Sequence, residues 1–470
     1  KTMVFSSIIF LFTFLPITLI LYYLSPKKAK NAILLLISLV FYAWGEPIYV
    51  FLMMFTTVFD FFIGILINKY RRNKIKAKRI FIIAVIVNLG ILGFFKYYGF
   101  LIENLNSLFS INIGYEQLPL PIGISFYTFQ TLSYVIDVYL EKVPVQKNLI
   151  SFGLYVTMFP QLVAGPIVRY IDIDYQLKHR THGVNKFGEG VERFIQGLSK
   201  KVLLANNIGM IFTSIQQYDV NQISVLTAWL AIAAYTLQLY FDFSGYSDMA
   251  IGLGKMFGFD FIENFNYPYV AKSVTEFWRR WHISLSSWFR EYVYIPLGGN
   301  RCSTMAQLRN LFVVWALTGL WHGADWNFIL WGLYYGLILV IEKFLLKNIL
   351  EAMPNLIKHI YTMILVMVGW TFFGIDSIQK SLEYLKVMFL LNGNPIIDST
   401  FLYYLFTNLI LLIILILCST PIVNKVFKKI IQNGKMKGVV FATSVQFILL
   451  FVSIAYLVNE TYNPFLYFRF

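Results

Sequence analysis

The sequence predicts an all-α integral membrane protein, and two observations carry that reading. First, 58% of the 470 residues are apolar and 13% are charged, with a mean hydropathy of +0.64. An ordinary soluble domain is about one-quarter charged, so this chain lacks the polar side chains to cover a surface in water. Second, charge-free windows recur at about 20 residues, the helical length that crosses a hydrocarbon core roughly 30 Å thick. A water-soluble enzyme and a disordered chain are both excluded.

Six windows reach that length, at residues 2–26, 117–136, 148–168, 220–241, 399–424 and 438–459. Shorter ones lie between them, at 31–45, 80–95, 202–218, 310–324, 326–341 and 359–375. The expectation is about 11 transmembrane helices plus re-entrant or interfacial helices, since irregular backbone at membrane depth must be covered by protein or water. The first window runs 25 residues without a charge, where a cleavable signal peptide has only a short apolar core, so it reads as a retained helix. No period of roughly 20 to 50 residues recurs and no inverted repeat is visible, so residues 1–470 read as one polytopic domain.

Orientation follows from charge. Lys and Arg total 39 against 24 Asp and Glu, a net +15 that is assigned to cytoplasmic loops rather than to nucleic acid. Residues 69–79 hold seven basic side chains in eleven and are expected in the cytoplasm. Lys27, Lys28 and Lys30 lie one hairpin earlier, because Gly45-Glu46-Pro47 interrupts the intervening stretch, and the amino terminus is then outside. Lys425, Lys428, Lys429, Lys435 and Lys437 read as a connection on the same cytoplasmic side, which puts the carboxyl terminus outside. Cys302 and Cys418 are too few for a disulfide framework or a thiolate metal site. The aromatic content of 18% suits a bundle with many rings at the headgroup level.

The composition changes between about 152 and 331, where Gly, Pro, Trp, His and paired charges appear at membrane depth. A charge at mid-bilayer costs about 2.5 to 3.5 kcal/mol on insertion scales, so these groups are expected to face a polar cavity or one another. In 276–291, Arg279, His282, Ser286 and Arg290 fall on one face of a single amphipathic helix, beside a stripe of Trp278, Trp281, Leu285 and Trp288. That face is either an interfacial one, whose arginines snorkel to lipid phosphates, or part of a reactive site. In 317–332, His322 has aromatic neighbours, and Gly319, Gly323 and Gly332 leave room for close helix packing or a substrate. An imidazole is the natural general base at neutral pH, although a hydrogen-bonded core histidine satisfies the same pattern.

Asp242 and Asp248 are six apart and share no helical face if the helix continues, with Gly245 a candidate break. They bind a cation or, the favoured reading, pair with Arg279, Arg280 or Arg290. His179 and His182 sit in a basic connection with no carboxylate or thiol to complete a metal set, and His359 reads as structural. No metal and no bound cofactor are expected. The absence of a Gly-x-Ser-x-Gly elbow, a Walker loop, a dinucleotide fingerprint and a His-Glu-x-x-His helix leaves a histidine-based membrane enzyme. A transporter and a non-catalytic scaffold are the other classes in play.

Five segments occur in order: Phe159-Pro-Gln-Leu-Val-Ala-Gly-Pro-Ile-Val-Arg169, Tyr240-Phe-Asp-Phe-Ser-Gly-Tyr-Ser-Asp-Met-Ala250, Phe277-Trp-Arg-Arg-Trp-His-Ile-Ser-Leu-Ser286, Tyr294-Ile-Pro-Leu-Gly-Gly-Asn-Arg301 and Gly319-Leu-Trp-His-Gly-Ala324. Together they resemble the membrane-bound O-acyltransferase family, in particular its bacterial alginate O-acetyltransferase branch, and the ending at 462–470 is similar to that branch too. The resemblance implies a ring of helices around a central tunnel that joins a cytoplasmic donor to an acceptor across the membrane. It implies catalysis by His322 and His282, with Arg279, Arg280, Arg290, Asp242, Trp321 and Asp325 as substrate-binding candidates. The implied donor is an acetyl thioester, either acetyl-CoA or carrier-linked. The implied acceptor is an extracytoplasmic polysaccharide, alginate-like, cellulose or peptidoglycan, reached with an SGNH-type acetyltransferase partner at the bacterial cytoplasmic membrane. The related lipoteichoic-acid D-alanylation protein shares the histidine pair and is the alternative; the stretch 295–301 and the ending lean toward acetylation.

Overall fold

The computed structural model describes residues 3–116, 118–163, 165–459, 462–464 and 466, without the side chain of Lys435. Most of the 462–470 ending, with the side of the carboxyl terminus, and Ala164 of the first motif lie outside the described residues. Among the described residues the chain is helical and has no strand. It divides into two compact units, Lys1–Phe194 with Ser247–Ile262, and Ile195–Tyr246 with Glu263–Phe470, a boundary that nothing in the sequence marked.

In the first unit, Lys30–Gly45 ends at the expected Gly45-Glu46-Pro47 break, and Tyr49–Lys69 and Lys74–Phe109 follow as long apolar helices. The basic segment spans the short turn at residues 70–73 and the adjoining ends of both helices, and the Asn73 side chain accepts a hydrogen bond from the backbone N–H of Lys76 at 3.1 Å. Asp60 interrupts the first of these helices as a charge-free window and Lys96 the second, yet both are buried. The Asn88 amide donates to Asp60 at 2.8 Å, Thr131 donates to Asn88 at 3.4 Å, and Lys96 donates to Ser125 at 3.3 Å. These bonds tie both helices to Ile124–Tyr139. Gly64 permits the close approach, since a β-carbon there would lie 2.5 Å from the Tyr134 hydroxyl.

Two of the long windows are not single spans. Residues 117–136 hold Pro119 and Pro121, and helix begins only after Gly123, whose φ of +74° suits a residue without a β-carbon. Residues 148–168 break into Leu149–Thr157 and Phe159–Leu162, because Pro160 removes a donor and its ring would strike the carbonyl of the preceding turn.

Six helices are long and apolar enough to cross a membrane among the described residues: Tyr49–Lys69, Lys74–Phe109, Val225–Met256, Trp326–Phe344, Asn355–Gly374 and Met436–Asn459. Ser399–Thr407 and Leu409–Cys418, bent by 63°, make a seventh if they form one broken span, and Phe10–Leu24 and Lys30–Gly45 are shorter apolar helices. Lys425, Lys428, Lys429 and Lys437 lie within one continuous helix, Ile422–Asn459, rather than in a connection. Lys side chains are good helix formers, so a basic run alone does not end a helix.

The second unit holds a cluster of aromatic rings packed edge-on and tilted. Trp278 meets Trp315 and Tyr335 at 4.8 Å between ring centres, and Trp281 meets Trp370 at 5.0 Å. Thr304–His322 packs along Trp326–Phe344, and here the glycines serve helix packing: a β-carbon at Gly332 would strike the carbonyl oxygen of Trp315, and one at Gly319 that of Phe328. Gly332→Ala is therefore expected to lower stability by about 1 to 3 kcal/mol, read as an earlier thermal transition of the detergent-solubilised protein.

Candidate active site

The segment 276–291 is not one helix. Val274–Arg280 ends, Trp281 is extended, His282 adopts φ +45° and ψ +54°, and a new helix runs over Ile283–Phe289. The i, i+3, i+7 spacing that grouped Arg279, His282 and Ser286 therefore does not operate. A left-handed backbone costs a residue with a β-carbon roughly 1 to 2 kcal/mol, so neighbouring contacts must hold it. Asn264 supplies them. Its backbone carbonyl accepts from the N–H of Ile283 at 3.0 Å. Its side-chain oxygen accepts from the N–H of Ser284 at 3.1 Å and from the Ser284 hydroxyl at 2.9 Å, and lies 3.2 Å from Nδ1 of His282.

The first helix of the pair is gripped at its start. Ser273 caps it, accepting from the N–H of Glu276 at 3.0 Å. The buried Glu342 carboxylate accepts from the N–H groups of Val274 and Thr275 at 2.7 and 2.8 Å, and from the Thr275 hydroxyl at 2.6 Å. An anion against the unpaired N–H groups of a first turn is favourable both as hydrogen-bond acceptor and as charge.

His322 is the last residue of Thr304–His322 and is buried among Trp331 and Phe373, whose rings meet it edge-on at 5.0 and 5.3 Å. Trp321 lies 5.0 Å from the His322 ring and 5.9 Å from that of His282. Both histidines, 1% and 6% exposed, line one cavity of about 1060 Å³. Lys272, Arg279, Arg290, Lys343, Lys347 and Lys358 line the same cavity, against Glu276, Glu342 and Glu351. Buried imidazoles and exposed cations thus share one chamber, able to take an anionic group at its basic part and a reacting centre beside the histidines.

Other candidates sit elsewhere. Arg280 turns to Glu276 at 2.9 Å and to the Asn266 carbonyl at 3.0 Å, outside the cavity lining. Val225–Met256 continues through Gly245, so Asp242 and Asp248 sit on one unbroken helix. Their ion pairs are not with the three arginines: Lys201 pairs with Asp242 at 2.6 Å and Arg193 with Asp248 at 2.7 Å. These partners come from the 184–205 stretch, which the sequence pattern did not place beside them. Asp242 also accepts from the N–H of Leu466, and Lys201 donates to Asn206 and to the Pro464 carbonyl. Asp325 is exposed and caps Trp326–Phe344, accepting from the N–H of Asn327 at 2.9 Å.

His182 lies 2.8 Å from the Tyr22 hydroxyl, and partial burial, reinforced by Lys30, Arg180, Lys186 and Lys27, pushes its pKa down to about 4. Nδ1 of His359 lies 3.2 Å from the Ala271 carbonyl. No group of three His, Cys, Asp or Glu is placed to hold a metal ion among the described residues. Asn264 and Glu342 went unnoticed in the sequence, since one is an uncharged residue without periodic context and the other reads as the end of an apolar window.

The family model for MBOAT, membrane-bound O-acyltransferase family, matches residues 142–378, which contain every residue lining the cavity. The "Probable alginate O-acetylase AlgI" of Pseudomonas aeruginosa is 47% identical over 392 residues, covering 82% of this chain and 75% of that protein. The peptidoglycan O-acetyltransferase of Helicobacter pylori is 35% identical over 426 residues, 83% of this chain and 80% of its own. The teichoic acid D-alanyltransferase of Bacillus subtilis is 27% identical over 240 residues, 48% and 60% of the two chains. With its histidine chamber inside the matched stretch and near-half identity to a relative across most of its length, this chain belongs to the membrane-bound O-acyltransferase family.

Proposed function

We propose that the protein transfers an acetyl group from a cytoplasmic thioester to a hydroxyl destined for an extracytoplasmic polysaccharide, in the bacterial cytoplasmic membrane. The observation that carries this reading is the pair of buried histidines in one chamber with a cationic lining. Two relatives that match over four-fifths of the chain are named for O-acetylation of different polysaccharides, which supports acetyl as the group and leaves the glycan to the partner machinery.

In this mechanism His322 takes the proton of the attacking hydroxyl as its oxygen bonds to the acetyl carbonyl carbon. The tetrahedral intermediate then expels the thiolate, which receives the proton from His322, leaving an ester and a free thiol. His282 positions the reacting groups. The hydroxyl belongs to the glycan itself or to a serine of an SGNH-type partner that completes the transfer outside. Arg279 and Arg290 hold the phosphates of the donor, coenzyme A or a carrier prosthetic group.

In inverted membrane vesicles supplied with a radiolabelled acetyl thioester and the partner, label should pass into alkali-labile ester on polysaccharide. Failure of every acetyl thioester, with transfer from an alanyl carrier instead, would overturn the reading.

Two further results are expected. Charge-assisted hydrogen bonds contribute roughly 1.5 to 3 kcal/mol, so Arg279→Ala and Arg290→Ala should each raise KM for the donor about tenfold or more. Arg280→Ala should stay near wild type in steady-state kinetics, because Arg280 pairs with Glu276 and does not itself line the chamber. The exposed Arg72 in the basic turn should be cytoplasmic, so a thiol at Arg72→Cys in an otherwise Cys-free chain should resist an impermeant maleimide in intact cells.

A further inference from the structure

We infer that Lys30, Arg180 and His182 form a binding site for the phosphate of an anionic phospholipid in the cytoplasmic leaflet. The transfer reaction uses none of these residues, and all of them belong to the first unit.

The three side chains converge on Tyr22, which is fully buried. Nζ of Lys30 lies 4.2 Å from the centre of the Tyr22 ring and donates to the Tyr22 carbonyl at 3.0 Å. Nε of Arg180 donates to the Tyr22 hydroxyl at 2.8 Å, and Nε2 of His182 lies 2.8 Å from the same hydroxyl. The Arg180 guanidinium also lies over the ring of Phe259 at 4.6 Å. A solvated basic run leaves its side chains loose, whereas here two cations and an imidazole are fastened together.

The group lacks an anion. Lys30, Arg180 and His182 make no ion pair among the described residues, while Lys186 nearby has Asp260 at 2.6 Å. Burial lowers the His182 pKa together with four charges, Lys30, Arg180, Lys186 and Lys27, and every one of them is positive. Donor capacity is left over as well. Lys30 is 9% exposed and spends one of its three ammonium hydrogens on the Tyr22 carbonyl. Arg180 spends Nε on Tyr22 and Nη1 on the Asn31 side-chain oxygen at 2.5 Å, and its Nη2 bonds to nothing among the described residues. Two like charges gathered on one ring repel, and a phosphate between them turns that cost into charge-assisted hydrogen bonds.

A lipid fits this site better than a free phosphate. Tyr22 stands near the end of the apolar helix Phe10–Leu24, on which Ile17, Ile20, Leu21 and Leu24 are exposed. Acyl chains against that face bring a headgroup to the level of the cations, and the exposed Lys27 and Lys28 add to the attraction. The positive-inside rule assigns this end of the helix to the cytoplasm.

The test is to titrate the full-length protein in detergent with dioleoylphosphatidylglycerol or dioleoylphosphatidylcholine and to count bound lipid by native mass spectrometry. Each cation near an anionic headgroup contributes about fivefold, so the wild type should bind the phosphatidylglycerol at least about tenfold more tightly. Equal binding of the two lipids would overturn the inference, and this arm needs neither a variant nor an acetylation assay. Arg180→Gln should weaken phosphatidylglycerol binding by about fivefold, and Arg180→Lys, which keeps the charge, should restore most of it. Lys78→Gln, in the exposed basic segment, should leave the affinity unchanged. An equal loss there would make the attraction a general one and overturn the site. Displacement of the lipid by inorganic phosphate at the same concentration would make this a site for a free anion and overturn the lipid.

Discussion

His322→Ala is expected to abolish acetyl transfer while the protein still inserts and folds. General base catalysis contributes roughly 100- to 10,000-fold, so the rate of ester formation should fall by at least about 100-fold, equal to about 2.7 kcal/mol of transition-state stabilisation. The substitution falls at the last residue of Thr304–His322 and leaves the Gly319 and Gly332 contacts of the helix pair untouched. Some stability is lost, because the rings of Trp331 and Phe373 each give up an edge-on neighbour. The check is paired: glycan acetyl ester measured in cells that carry the variant, and its amount and monodispersity after extraction. Normal acetyl content would remove His322 from the mechanism.

The second large effect separates two substitutions at His282. His282→Ala should lower transfer by about 100-fold or more, because the chamber loses the group that orients the reacting hydroxyl and the Asn264 oxygen keeps only its bonds from Ser284. His282→Asn should retain a measurable part, within about tenfold of wild type. Asparagine tolerates the left-handed backbone better than most residues, and its amide keeps both a hydrogen-bond donor and an acceptor at the position of the imidazole. It cannot titrate near neutral pH, so equal loss in the two variants would make His282 a proton carrier and overturn the division of labour with His322.

Much of this site is legible in the sequence. His282 and His322 stood out because an imidazole flanked by tryptophans and glycines is costly to place in an apolar stretch without a purpose. Arg279 and Arg290 were named with them, and the chamber contains all four. Arg280, Asp242 and Asp325 were named on the same grounds, but their chemistry is spent on Glu276, Lys201 and a helix cap. Composition cannot separate these cases, since a paired and an unpaired charge look alike along a sequence.

What the sequence by itself determined is the solvent: too few polar side chains for water, long charge-free runs that satisfy their own backbone in lipid as helices, and breaks wherever Pro or Gly denies the next turn. Tertiary structure decided which apolar stretches are whole. Asp60 and Lys96 disqualify their helices only as long as lipid is the assumed neighbour; Asn88 and Ser125, 28 and 29 residues away, make burial tolerable. It also decided the backbone conformation of His282, which periodicity placed on a regular helix face. Asn264 and Glu342 instead hold a broken one, from 18 residues before His282 and 68 residues after Val274. The physical reason is the same throughout: a polar group at membrane depth is placed by the partner that satisfies it, and that partner becomes a neighbour only when the chain has folded.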